Sequence, residues 1–233
     1  MKVVITQPTY LPWLGYFELV AQADVFVFLD TVQFERQSWQ SRNKIRSADG
    51  RVQWLPVPVI SAPLDTLIKE IELAPNTRGV FRKQYQTIRQ ALSKAPFFSE
   101  ADDLLRPHFD ASTIPEKLAD LNIRFVQNTA SALALTSTRF LRASELEAKG
   151  KRESLLISIC RELGADYYYS NAGSAFYLEA ARGMFTESGI ELAYQDWMHP
   201  EYTQQGQEFE SHLSCIDAIA SVGLEQCHQL LAG

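Results

Sequence analysis

The chain is short of cysteine and histidine, and it has no long apolar run. Only Cys160, Cys215 and Cys227 occur in 233 residues, without Cys-x-x-Cys spacing, so neither a disulfide framework nor a thiolate metal site is expected. Cys160 and Cys215 stand in apolar helical surroundings, which predicts buried thiols rather than nucleophiles. The four histidines form no His-Glu-x-x-His pair, so no dedicated metal site is expected. No window approaches the roughly 18 apolar residues of a membrane span. Positive charge is scarce too: 22 Lys and Arg against 28 Asp and Glu give a formal net charge of −6, which excludes a general binder of nucleic-acid backbones. Met1-Lys2 opens directly into a strand without a secretion leader, which predicts a cytoplasmic protein. Internal repeats and low-complexity linkers are absent, and a single domain over residues 1–233 is expected.

What is present is an alternation of strands and helices. Lys2-Val3-Val4-Ile5 reads as a strand, followed by a helix and a second strand, Val25-Phe26-Val27-Phe28-Leu29-Asp30. Residues 41–46 and 51–59 read as a hairpin across Asp49-Gly50, with 66–73 as a third strand of that lobe. Helices are expected at 77–94 and 112–121, then a strand at 123–126. The last part is the most regular: a helix at 153–163 stopped by Gly164, a strand at 166–170, a helix at 175–188 stopped by Gly189, a strand at 190–194, and a helix at 212–231 broken at Gly223. The pattern predicts an α/β fold, a Rossmann-like and mainly parallel sheet flanked by helices. A small antiparallel section (about 40–75) and a helical insertion (about 76–122) complete it.

The loop after the first strand, Gln7 to Phe17, is the densest candidate site. Gln7 follows the strand directly, where an open parallel sheet builds its ligand crevice, and its amide can both donate and accept. Pro8 and Pro12 stiffen the loop; Tyr10, Trp13 and Tyr16 offer flat faces to a sugar or base, and Gly15 permits close approach. The same residues also describe a rigid strand-to-helix corner with its aromatics in the core. Asp30 ends an apolar strand and suits a hydroxyl or ammonium partner, a helix cap, or an ion pair with Arg42. Near it stand Gln33 and the Arg42-Asn43 pair, a fork for phosphate or carboxylate unless it is plain surface charge. Ser170 to Ser174, with Gly173, sits between a strand and a helix, as an anion site or a simple cap. It has neither the glycine-lysine phosphate loop nor the dinucleotide fingerprint. His199 follows the last strand and suits a general base, though a lone loop histidine is more often structural. Ser214 and Asp217 read first as a capping pair.

Several of these runs recur together. Gln7-Pro8-x-Tyr10-Leu11-Pro12-Trp13-Leu14-Gly15-Tyr16-Phe17 comes first, then Phe28-Leu29-Asp30-x-Val32-Gln33-Phe34 and Arg42-Asn43-x-Ile45. Ala143-Ser144-Glu145-Leu146, Tyr169-Ser170, His199-Pro200-x-Tyr202-x-Gln204 and Leu213-Ser214-x-Ile216-Asp217 follow. In this order they resemble the WbqC-like protein family of bacterial surface-polysaccharide gene clusters. The chain departs from that pattern at Thr6, where many relatives carry His, and at Asn171, where Gly is usual.

The resemblance implies a role in O-antigen, lipopolysaccharide or capsule assembly. It implies a transferase that places an aminoacyl or acyl group on the amine of a nucleotide-linked sugar. His199 would be the base and Asp30 its catalytic companion. Gln7, Asn43 and the backbone near Gly173 would supply hydrogen-bond donors, and Arg42 would meet the diphosphate. Tyr10, Trp13 and Tyr16 would hold the sugar or base, and Gly15, Gln33, Ser170, Tyr202 and Gln204 would complete the site. The expected partners are a small nucleotide sugar, an acyl donor, and an acyl carrier or another glycan-pathway protein; no particular cofactor is assigned, and no nucleic acid is expected. Two rivals stand beside this. One is a nucleotidyltransferase, though Trp13-Leu14-Gly15-Tyr16 replaces the His-x-Gly-His arrangement. The other is a non-catalytic binding subunit with Trp39 and Trp54 as interface anchors.

Overall fold

A computed structural model describes residues 1–47, 49–205 and 208–231. Five strands form one parallel sheet: β1 (Lys2–Thr6), β2 (Val25–Phe28), β5 (Arg139–Arg142), β6 (Tyr167–Ser170) and β7 (Glu191–Tyr194). Their order is β5-β2-β1-β6-β7, with Val3 beside Val25 on one side and Tyr168 on the other. The chain first winds from β1 outward through β2 to β5. It then crosses to the far side of β1 for β6 and β7, so the winding reverses between β1 and β6.

The two central strands are covered on both faces, which explains their unbroken apolar runs. Period-two alternation divides them between two cores. Val4, Phe26 and Phe28 face α1 (Leu14–Gln22) and α8 (Cys215–Leu231), while Val3, Ile5, Val25 and Val27 face α5 (Glu153–Leu163) and α7 (Arg182–Glu187). α6 (Ala175–Leu178) precedes α7, joined to it by a single 3-10 turn. α5 stops at Gly164, whose φ of 68° is a left-handed cap that a side chain would strain.

Between β2 and β5 the chain builds a hairpin, β3 (Arg42–Arg46) and β4 (Val52–Pro56), and three helices. These are α2 (Thr77–Leu92), α3 (Phe98–Phe109) and α4 (Leu118–Ala132). Ile45, Leu55, Phe81, Leu105 and Phe125 join the α1/α8 core, so insertion and sheet share one apolar interior.

Three expectations are corrected here. Residues 66–73 form no third strand of the lobe. Ile68–Glu70 is a 3-10 turn, because Ile68 and Lys69 each donate separately to the carbonyls of Val32 and Asp30. Residues 123–126 lie inside α4, where Leu118, Leu121, Asn122, Phe125 and Thr129 recur at helical spacing on the buried side. The stretch expected as a helix from Ser112 is mostly the turn between α3 and α4. Asp110 Oδ1 accepts from both the backbone N–H and the hydroxyl of Ser112, at 2.9 and 2.8 Å.

Candidate functional site

The carboxyl ends of β1 and β6, where the winding reverses, open onto a crevice, as open α/β sheets do. Two cavities meet there. The first, about 470 Å³, is walled by Trp13, Trp39, Trp197 and His212 and rimmed by the amides of Gln7, Gln40, Asn171 and Gln195. The second, about 430 Å³, has apolar walls from Ile5, Leu29, Leu155, Leu156 and Tyr168, with Arg152 and Glu153 at the start of α5. Thr6, Gln7 and Asn171 belong to both.

A relay of hydrogen bonds fixes what Gln7 presents. The Glu35 backbone N–H donates to Gln40 Oε1 at 3.1 Å, which leaves Gln40 Nε2 to donate to Gln7 Oε1 at 2.8 Å. Gln7 Nε2 has no hydrogen bond among the described residues, so Gln7 offers a donor to the crevice. Gln195 is set the opposite way. Its Nε2 donates to Gly15 O at 2.7 Å and to Glu18 Oε2 at 2.6 Å, leaving Oε1 as an acceptor. Glu18 is buried beneath it and also accepts from the Tyr169 hydroxyl at 3.1 Å; burial pushes its carboxyl up from the usual range.

Trp13 organises the far wall. Its ring lies 4.5 Å from His212, 5.7 Å from His199 and 5.7 Å from Trp197. His199 stacks on Trp13 and stands 5.3 Å from His212, without lining either cavity. Its Nδ1 lies 2.9 Å from the Pro200 carbonyl, which only accepts, so Nδ1 carries the proton and Nε2 keeps a free lone pair. Burial lowers the pKa of both imidazoles, and for His212 the Lys44 charge adds to it. Near neutral pH both rings are therefore neutral and able to accept a proton. His212 holds a φ of 58°, a strained backbone that its packing must maintain.

The structure brings Gln7, Trp13, Tyr16 and Gly173 to the first cavity. Gly15 lies beneath the Trp13 indole, and its carbonyl holds Gln195. Tyr16 is largely buried, with its hydroxyl on the Gln7 carbonyl at 3.1 Å. Other expected site residues stand elsewhere. Tyr10 is fully buried and donates to Gln84 Oε1 at 2.9 Å. Asn43 is equally buried, its amide donating to the carbonyls of Tyr10 and Leu11 at 3.0 and 2.7 Å. Asp30 accepts from the N–H and hydroxyl of Ser144 at 2.9 and 2.7 Å and makes no ion pair with Arg42. Arg42 stacks on Trp54 and lines a third cavity. Gln33 is exposed and pairs by backbone with Leu67. Ser170 is buried between the hydroxyls of Tyr168 and Ser174. Tyr202 donates to Asp217, and Gln204 to Tyr202 and to the Glu210 carbonyl.

Gln40, Asn171, Gln195, Trp197, His212 and Arg152 escape the residue-by-residue reading. Asn171 and Gln195 carry a usable signal: each follows the end of a parallel strand, as Gln7 does. Among the described residues, no group of three or more His, Cys, Asp or Glu could hold a metal ion, and no helix is long and apolar enough to cross a membrane.

The fold is that of an open parallel α/β protein with a two-compartment crevice at its switch point. The chain belongs to the WbqC-like protein family, whose model matches residues 7–229. It is 29% identical over 226 residues to the uncharacterized protein Rv1507c of Mycobacterium tuberculosis, covering 96% of this chain and 95% of that one. No solved structure matches the chain significantly.

Proposed function

We propose that the protein is a cytoplasmic group transferase that places an acyl or aminoacyl group on the amine of a nucleotide-linked sugar in surface-polysaccharide assembly. The observation that carries this reading is the pair of cavities sharing Thr6, Gln7 and Asn171. A transfer needs two substrates whose reacting atoms meet. Indole walls with planar amides of both polarities suit a sugar, which has apolar ring faces and hydroxyls that donate and accept. Apolar walls suit an acyl chain, and the Arg152 guanidinium, with the Glu153 carboxylate beside it, gives the cavity a polar end for the activating group.

The sugar amine attacks the acyl carbonyl carbon at the shared rim. A nitrogen–carbon bond forms, the bond to the activating group breaks, and that group leaves with the electron pair. His212, in the acceptor cavity, takes the proton from the amine. Gln7 Nε2 donates to the carbonyl oxygen as it gains charge. His199 packs behind as support for Trp13 and His212, and Asp30 serves the scaffold. Membership of the WbqC-like family is consistent with this setting.

Nucleotide-linked amino sugars with short acyl thioesters, followed by mass spectrometry, test the reading. An acylated product is expected, with His212→Ala slowing its formation about a hundredfold or more while sugar affinity is kept. No heat of binding with any amino sugar, or undiminished heat in Trp13→Ala, would overturn it. Pyrophosphate release from a nucleoside triphosphate would instead favour nucleotidyl transfer.

A further inference from the structure

We propose that a third cavity, on the hairpin side of Trp39, is a nucleoside diphosphate site. It measures about 460 Å³ and is lined by residues of the 34–42 segment, the hairpin and the 57–62 segment. Among the described residues, Arg36 and Arg42 are its only charged lining residues, in a chain whose formal net charge is −6. Neither takes part in an ion pair among the described residues. Two guanidiniums without a carboxylate in the same small cavity call for an anion of more than one charge.

The placement of each guanidinium supports that chemistry. Arg42 lies over the Trp54 ring, 4.4 Å from its centroid, and its guanidinium makes no hydrogen bond among the described residues. Stacking holds the guanidinium by its face and leaves its in-plane N–H donors free at the edge, the fork that grips phosphate oxygens. Arg36 is tied by one nitrogen only, Nη2, to Ser61 Oγ and the Ala62 carbonyl at 3.3 and 2.8 Å, so the rest of its fork stays available. Phe34, Val57, Val59 and Ile60 give the cavity an apolar wall that suits the flat body of a base, with Gln37 and Ser41 as polar lining beside it.

Trp54 also packs against Trp39, ring centroids 5.5 Å apart and planes tilted by 44°, and Trp39 walls the tryptophan- and amide-lined cavity. One indole pair thus partitions the two spaces, and a nucleotide sugar would lie with its sugar on one side and its diphosphate on the other. This connection rests on the transferase reading; the anion site itself does not.

Titration of the full chain with UDP, ADP, GDP, uridine and pyrophosphate, read by calorimetry and tryptophan emission, tests the site. At least one nucleoside diphosphate should bind, with affinity falling as salt rises. Arg42→Ala and Arg36→Ala should each weaken it about tenfold or more. Arg42→Lys should weaken it too, because an ammonium keeps the charge but lacks the fork. Gln7→Ala and His212→Ala should leave it unchanged. Unaltered melting temperatures of the arginine variants, or the Arg42→Lys result where Arg42→Ala melts early, separate loss of binding from loss of the hairpin. No diphosphate binding below about 1 mM, full affinity in Arg42→Ala, or pyrophosphate binding as tightly as every nucleoside diphosphate would each overturn the proposal. Diphosphate binding through Arg42 without any acyl transfer would sink the transferase reading alone.

Discussion

The six-membered ring of Trp13 occupies the space where a side chain on Gly15 would begin. Two residues apart in sequence, they form one unit: glycine lets the indole fold back over the first turn of α1, and the indole then carries His212 and Trp197. Gly15→Ala drives a methyl group into that ring and should cost about 1–3 kcal/mol, because the surroundings are packed. Urea unfolding with tryptophan emission measures it. Wild-type stability together with wild-type amino-sugar affinity would show that the indole has no fixed seat.

Asp30 is predicted to serve stability and not chemistry. Its carboxylate satisfies two donors of Ser144, tying the end of β2 to the turn after β5. Asp30→Ala should lower stability by about 1–3 kcal/mol, the cost of losing two hydrogen bonds to a carboxylate, and Asp30→Asn by less. Turnover per folded molecule should stay within about twofold. A hundredfold loss of rate in a normally folded Asp30→Asn variant would return this residue to the catalytic machinery.

His108 should govern part of the acid sensitivity. It is buried among Tyr10, Phe81, Phe109 and Phe125, and neither ring nitrogen has a partner. Burial, with the nearby Arg124 charge, pulls its pKa from 6.5 down to about 3. Between those values the unfolded chain binds a proton that the native ring refuses. The contribution is complete above pH 6.5 and falls by about 1.4 kcal/mol per pH unit down to about pH 3. His108→Phe should flatten this limb in denaturant titrations at pH 7, 6 and 5. An unchanged slope would mean that the ring is solvated in the native state.

Asp217 acts in the opposite sense. Burial raises its carboxyl from 3.8 to about 6, despite the hydrogen bond from Tyr202. In that window the native state holds the proton better than the unfolded chain, so this group destabilises above pH 6 and relaxes as pH falls. Asp217→Asn should therefore gain most over wild type at pH 7 and nothing near pH 4. A gain independent of pH would contradict a buried charge at this position.

Much of the fold is legible in the chain because its central strands are extreme. Lys2–Thr6 and Val25–Phe28 are covered on both faces, so apolarity alone marks them, and Gly164 and Gly223 mark a helix end and a helix break by their positive φ. β5 is not legible. It is a four-residue edge strand with arginine at each end, and pairing with β2 alone makes it a strand. α3 carries Pro107 in its last turn, which hides it from a helix search. The site divides the same way. Gln7 stands out by following a strand, whereas the chemistry of Asn43 and Tyr10 says nothing about burial, and both are buried.

By itself, the sequence determines the parallel α/β class, the strand-end position of Gln7 and the family to which the chain belongs. Those features live in local patterning, which hydrophobic periodicity and short motifs record directly. Tertiary structure alone decides that Arg42 faces a different cavity from Trp13, that His212 rather than His199 reaches the crevice, and that Gln7 presents a donor. Each of these depends on contacts between residues far apart along the chain. Such contacts are set by how sheet, hairpin and helices pack, which no local pattern records.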